Sequence, residues 1–133
     1  SEVIGLDTNV LVRYIAQDDK KQSALASQII GALTGSNPGY ITLIGMIELV
    51  WVMKSCYGAT KPEMVDILEK LLRTKEFIVE NAEVAHKALQ IFSTTPADFA
   101  DCLIERSSEF AGCSQTFTFD KSASSLTGMT LII

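Results

Sequence analysis

The sequence predicts an α/β protein: a three-layer α/β/α sandwich with a mainly parallel central sheet, built as a single domain over residues 1–133. Three observations lead there. Short apolar runs of strand length alternate with longer segments whose apolar residues recur at helical spacing. Pairs of helical segments separate the first strands, the arrangement that parallel pairing through crossovers requires. The 133 residues, 47% of them hydrophobic, suit one domain with one core.

Residues 3–6 (Val-Ile-Gly-Leu) form an apolar run before a polar stop and read as a buried strand. A short helix follows over 10–16. Residues 20–33 carry Ala24, Leu25, Gln28, Ile29 and Ala32 at helical spacing and end at Gly35. Ser36-Asn37-Pro38-Gly39 is a turn cluster, and 40–42 a short strand. It feeds a helix over 43–57 that is apolar almost all round, so it belongs in the core, and Gly58 ends it.

Thr60-Lys61-Pro62-Glu63 matches a capping box with Pro in the first turn and opens a helix to about Thr74. Residues 77–79 are a strand. Asn81 caps a helix to about Phe92. Thr95-Pro96-Ala97-Asp98 signals another cap, for a helix ending near Gly112, with Asp98 at the third helical position. Residues 115–119 are a strand, 121–126 a short helix and 129–132 a last strand. There is no internal repeat, low-complexity segment or linker.

The formal net charge of −5 argues against a general nucleic-acid binder, which is usually basic, without excluding a nuclease. Cys56, Cys102 and Cys113 form no CxxC pair. An odd count without metal spacing points to reduced thiols in a cytoplasmic protein, each a small buried hydrophobe. The longest apolar stretch is too short to span a membrane and contains Glu48. The start lacks the pattern of a secretory signal, and removal of an initiator Met is expected. His86, the single histidine, sits mid-helix as a surface residue, and one His without clustered Cys disfavours zinc.

Four acids adjoin apolar runs: Asp7 after 3–6, Glu48 within 41–53, Asp101 within 99–104 and Asp120 after 116–119. Unpaired charge next to buried segments is costly. Such groups either lie on the surface separately or converge on something cationic. At the carboxyl edge of a parallel sheet they would share one cleft. Hard oxygen donors there suit Mg²⁺. Each acid also has an ordinary explanation. Asp7 and Asp120 precede helices and fit N-caps, and Asp98 fits the capping box. Asp101 fits a solvated face shared with Asp98 and Glu105, and Glu48 a narrow polar stripe. Thr8 or Asn9 would orient Asp7. No nucleophile–base pair supports a serine mechanism.

Taken together, Asp7-Thr8-Asn9-Val10-Leu11-Val12-Arg13, the segment from Ile41 through Glu48-Leu49-Val50-Trp51-Val52, Asp98-Phe99-Ala100-Asp101-Cys102-Leu103-Ile104, and Thr118-Phe119-Asp120-Lys121 resemble, in order and spacing, the motifs of PIN-domain ribonucleases, specifically the VapC-type toxins of prokaryotic toxin–antitoxin pairs. The resemblance implies an acidic pocket binding Mg²⁺ or Mn²⁺ and metal-dependent hydrolysis of RNA phosphodiester bonds. It further implies a homodimer, and inhibition by a small cognate antitoxin whose tail enters the pocket. By motif position, Asp7, Glu48, Asp101 and Asp120 are the implied catalytic and metal-binding acids, with Asn9 and Thr118 as supporting polar groups. Asp101 is chosen over Asp98 because the apolar Cys102-Leu103-Ile104 follows it.

Two other classes share part of this pattern. A haloacid-dehalogenase-like phosphatase would place a second Asp where Asn9 stands, and a receiver-like domain would carry an adjacent acidic pair where Asp7-Thr8 stands. A non-catalytic PIN scaffold would not need all four acids.

Overall fold

The structure, a computed structural model, describes residues 2–133. The predicted order of strands and helices is reproduced throughout: β1 (Ile4–Gly5), α1 (Thr8–Ala16), α2 (Lys20–Gly31), β2 (Gly39–Ile41), α3 (Leu43–Tyr57), α4 (Lys61–Arg73), β3 (Phe77–Val79), α5 (Ala82–Thr94), α6 (Phe99–Phe110), β4 (Phe117–Thr118), α7 (Lys121–Thr127) and β5 (Thr130–Leu131). Every strand pairing is parallel. The elements fall into two compact units that divide between Glu80 and Asn81.

In the first unit the strands lie in the order β1-β2-β3, and each crossover is a helical hairpin. Gly39 of β2 sits where a Cβ would come within 2.7 Å of Leu6 and 2.8 Å of Leu33, so a side chain there would displace both leucines. Strand β1 is shorter and more open than the buried strand expected over 3–6. It pairs only with β2 among the described residues, and an edge strand leaves Val3 and Ile4 exposed while Leu6 turns inward. Helix α1 packs on α2 and α3, α3 on α4, and α4 on β3. Leu11, Ile41, Met46, Leu49 and Leu68 are fully buried.

The ends of α3 follow local chemistry. The Thr42 hydroxyl accepts from the Gly45 amide at 2.9 Å, and Gly58 closes the helix at φ 63°. The expectation that α3 lies wholly in the core fails on one side. Ile44 is 70% exposed and Trp51 65%, on the face that also carries Glu48 and Ser55. Packing against α1 and α4 uses the other faces, so apolar composition all round did not mean burial all round. The capping box at Thr60 is present in both directions, with Glu63 Oε1 accepting from the Thr60 amide at 2.8 Å.

In the second unit α5 packs on α6, and the rings of Phe92 and Phe99 meet edge to face with centroids 5.3 Å apart. Helix α7 is the crossover between parallel β4 and β5, which are two-residue strands rather than the longer runs expected. Asn81 stands at the N-cap of α5 as expected, but in a left-handed conformation and without a side-chain capping bond.

The start of α6 needs a larger correction. Thr95 is the C-cap of α5: its hydroxyl donates to the Ile91 carbonyl at 2.8 Å and its backbone is extended. A residue before proline favours that conformation, which an N-cap also adopts, but the chain turns helical only after Asp98, three residues later than the capping-box reading placed it. Asp98 is therefore the N-cap of α6 and not its third residue, and its side chain makes no capping bond. The cysteines also differ from expectation. Only Cys102 is buried; Cys56 and Cys113 are exposed.

Candidate metal centre

Asp7 and Glu48 belong to the first unit, and one hydroxyl links their segments. Asp7 leaves β1 and caps α1, its Oδ1 accepting from the Thr8 amide at 2.7 Å. The Thr8 hydroxyl donates to Glu48 Oε1, also at 2.7 Å. Thr8 is buried and both acids are exposed. Gly45 lies against this contact: a Cβ there would crowd the α3 cap at 3.1 Å from Thr42 Oγ1 and come into ordinary contact with Thr8 Oγ1 at 3.9 Å. Asp7, Asn9, Arg13, Glu48, Trp51 and Tyr57 line a groove of about 700 Å³.

Part of this groove was missed from the sequence. Tyr57 donates its hydroxyl to Asp18 at 2.7 Å, and Arg13 pairs with the same carboxylate at 3.2 Å. Chiefly through the Tyr57 hydrogen bond, Asp18 is held below the usual carboxylate range, and the Tyr57 hydroxyl is pushed up. Glu80, directly after β3, accepts from the Leu43 amide at 2.9 Å and so satisfies an open donor at the start of α3. An acid after a strand was the signal that selected Asp7, and it applied equally to Glu80.

Asp98, Asp101 and Asp120 belong to the second unit, and the first and last act on Asp101. Burial pushes the Asp101 carboxyl above its ordinary value, and the negative charges of Asp98 and then Asp120 push it further. Asp120 caps α7 by accepting from the Ala123 amide at 3.0 Å, while the Thr118 hydroxyl accepts from the Asp120 amide at 3.0 Å. Thr118 thus fixes the backbone that presents Asp120. Glu105 lies apart from this group in role. It is buried and paired with Arg106, which also pairs with Glu109, and these partners keep the Arg106 guanidinium firmly charged. His86 is exposed on α5, as its position led one to expect.

Among the described residues, no three His, Cys, Asp or Glu side chains are gathered closely enough to hold an ion as they stand. The donor chemistry fits a hard divalent cation nonetheless. The donors are carboxylate oxygens, and at Asp101 like charges oppose ionisation, which a cation would offset.

Residues 4–128 match the PIN domain family, a span that includes all four acids. The chain belongs to the PIN domain family. The seven helices and parallel pairing of the described residues agree with the three-layer α/β/α class expected for this PIN domain. Over 116 residues, covering 87% of this chain and 86% of its relative, the PIN domain is 21% identical to a VapC ribonuclease of Aquifex aeolicus strain VF5. No helix among the described residues of the PIN domain is long and apolar enough to cross a membrane.

Proposed function

We propose that this PIN domain is a divalent-metal-dependent endoribonuclease, acting as the toxin of a toxin–antitoxin pair. Asp7 and Glu48 of the first unit and Asp101 and Asp120 of the second would hold Mg²⁺ or Mn²⁺. The observation that carries the reading is the family match over residues 4–128 with an acid at each of the four motif positions.

The cation would lower the pKa of a water and stabilise the charge that builds on phosphoryl oxygens during hydrolysis. The chain's own residues prepare for it. Thr8 holds Glu48 by its hydrogen bond, the Thr8 amide holds Asp7, and Thr118 fixes the backbone of Asp120. Arg13 and Tyr57 hold Asp18 at the side of the groove, which keeps that carboxylate engaged. The VapC name of the relative supports RNA as the substrate and an antitoxin as partner. Ile44 and Trp51, exposed on α3, are apolar area that a homodimer or an antitoxin tail would cover. A cytoplasmic location accords with the exposed free thiols of Cys56 and Cys113.

The test is cleavage of a labelled RNA with Mn²⁺ present, with Mn²⁺ removed by chelation, and with the Asp7→Asn variant. Cleavage in the first condition alone supports the reading. Cleavage that persists after chelation, or in a folded Asp7→Asn protein, overturns it.

A further inference from the structure

We propose that Trp51 is a stacking platform for one unpaired base of the RNA, the base of the nucleotide beside the cleaved phosphodiester bond. The inference rests on the nuclease reading, because a cation at Asp7 and Glu48 offsets charge that would otherwise repel the strand.

Trp51, the single tryptophan of the chain, is 65% exposed. An indole is usually well covered by its own fold. This one lines the same groove as Asp7 and Glu48. On α3 it stands three residues after Glu48, a spacing that makes the two side chains neighbours with Cβ atoms about 5–6 Å apart. A base on the indole would therefore belong to a nucleotide next to a phosphate held at Glu48. Every base has a π-face, but only a base outside a duplex can lay it on an aromatic side chain.

The cations around the ring favour a nucleotide over an apolar peptide. Arg13 lines the groove as well. Its Nε donates to Gln22 at 2.8 Å and its Nη1 to Asp18 at 3.2 Å. These bonds fix the plane of the guanidinium, and Nη2 has no partner among the described residues. The donors of Nη2 thus remain for a phosphate oxygen. Lys54, three residues beyond Trp51, is exposed and in no ion pair among the described residues. A nucleotide carries a ring and a phosphate in one unit, which this combination of indole and cations matches. Ile44 does not line the groove and stays open to a protein partner.

The experiment uses the full chain with Ca²⁺, a cation that takes the same kind of oxygen ligands, and follows the fluorescence of Trp51. The probe is a short single-stranded RNA of mixed sequence, because stacking tolerates any sequence. Its duplex with the complementary strand is the control. The expected result is saturable quenching by the single strand and none by the duplex. In parallel, cleavage of the labelled single strand with Mn²⁺ gives kcat and KM. Trp51→Ala should raise KM by roughly 5–150-fold, the scale of one base–aromatic stack, with kcat nearly kept. Trp51→Phe should recover most of the loss. The ring is exposed, so both variants should fold. Cleavage with an unchanged KM in Trp51→Ala overturns the platform and leaves the nuclease standing. Fluorescence unmoved by the single strand overturns the platform too, as does equal quenching by the duplex. So does fluorescence that varies with protein concentration alone, which would place a second copy over the ring. Quenching without any cleavage keeps the platform and overturns the nuclease.

Discussion

The hydroxyl of Thr8 donates to Oε1 of Glu48 at 2.7 Å across a sequence separation of 40, which ties the residue after the first candidate acid to the second. Thr8→Val keeps the shape and removes this donor. Glu48 is exposed, so water replaces the lost partner and the stability cost stays near 1 kcal/mol. Activity should suffer more, because partners that orient ligand carboxylates typically matter by about 10–100-fold. We expect Mn²⁺-dependent RNA cleavage to fall within that range in Thr8→Val and to recover in Thr8→Ser, with melting temperature as the folding control. A Thr8→Val protein of full activity would remove Thr8 from the site.

Asp120 has two duties that substitution can separate. Asparagine retains the oxygen that accepts from the Ala123 amide but loses the charge. Asp120→Asn should therefore melt close to the wild type and bind Mn²⁺ more weakly by calorimetry. Asp120→Ala loses the cap as well, at a cost of about 1 kcal/mol. Equal Mn²⁺ affinity in wild type and Asp120→Asn would exclude Asp120 as a ligand.

Asp98 and Asp101 should differ in size of effect. Neither side chain caps α6, so substituting either with Asn costs little stability through the helix end. We expect Asp101→Asn to lower cleavage by orders of magnitude and Asp98→Asn by less than about tenfold, the scale of one screened charge interaction near a surface. A dead Asp98→Asn beside an active Asp101→Asn would move the third motif by three residues.

The contact between Tyr57 and Asp18 carries a pH signature. Asp18 is lowered from its reference value of 3.8, first by the Tyr57 hydroxyl. An acid whose folded pKa is depressed contributes stability that is present above the unfolded pKa and lost as pH falls through the folded one. Wild type should therefore exceed Tyr57→Phe in stability at neutral pH, and the gap should close at strongly acid pH. Urea unfolding at a series of pH values reads this directly. A gap that does not change with pH would mean that Asp18 gains nothing from Tyr57.

The order of elements was legible because the punctuation is strong: Gly58 in a left-handed cap, the Thr60–Glu63 box, and acids or asparagine before helices. What was less legible depends on neighbours. The composition of α3 marked it as core, but composition cannot say which neighbours arrive, and Ile44 and Trp51 received none to bury them. At Thr95-Pro96-Ala97-Asp98 the local pattern of a cap was present, but the Thr95 hydroxyl closes the last turn of α5 while accepting from the Ala97 amide, and α6 starts only after Asp98; which helix Thr95 would serve depended on where α5 ended. For the site, single acids were readable as candidates, whereas the partners that hold them were less so. Thr8 was named only as an alternative to Asn9, and Glu80, Arg13 and Tyr57 were not singled out.

The charges of the second unit set an order of events. Residues 81–133 contain three Lys or Arg. Lys87 is paired with Glu83, and Arg106 with Glu105 and Glu109, which leaves Lys121 as the remaining Lys or Arg of this unit against the charge of Asp98, Asp101 and Asp120. A polyanionic strand nearing Asp101 would thus meet repulsion before it met any chemistry. In the proposed nuclease a cation at these acids would offset that repulsion, so metal would be expected to load before RNA. RNA retention should then be saturable in Mn²⁺, with chelation releasing the strand as well as halting its cleavage.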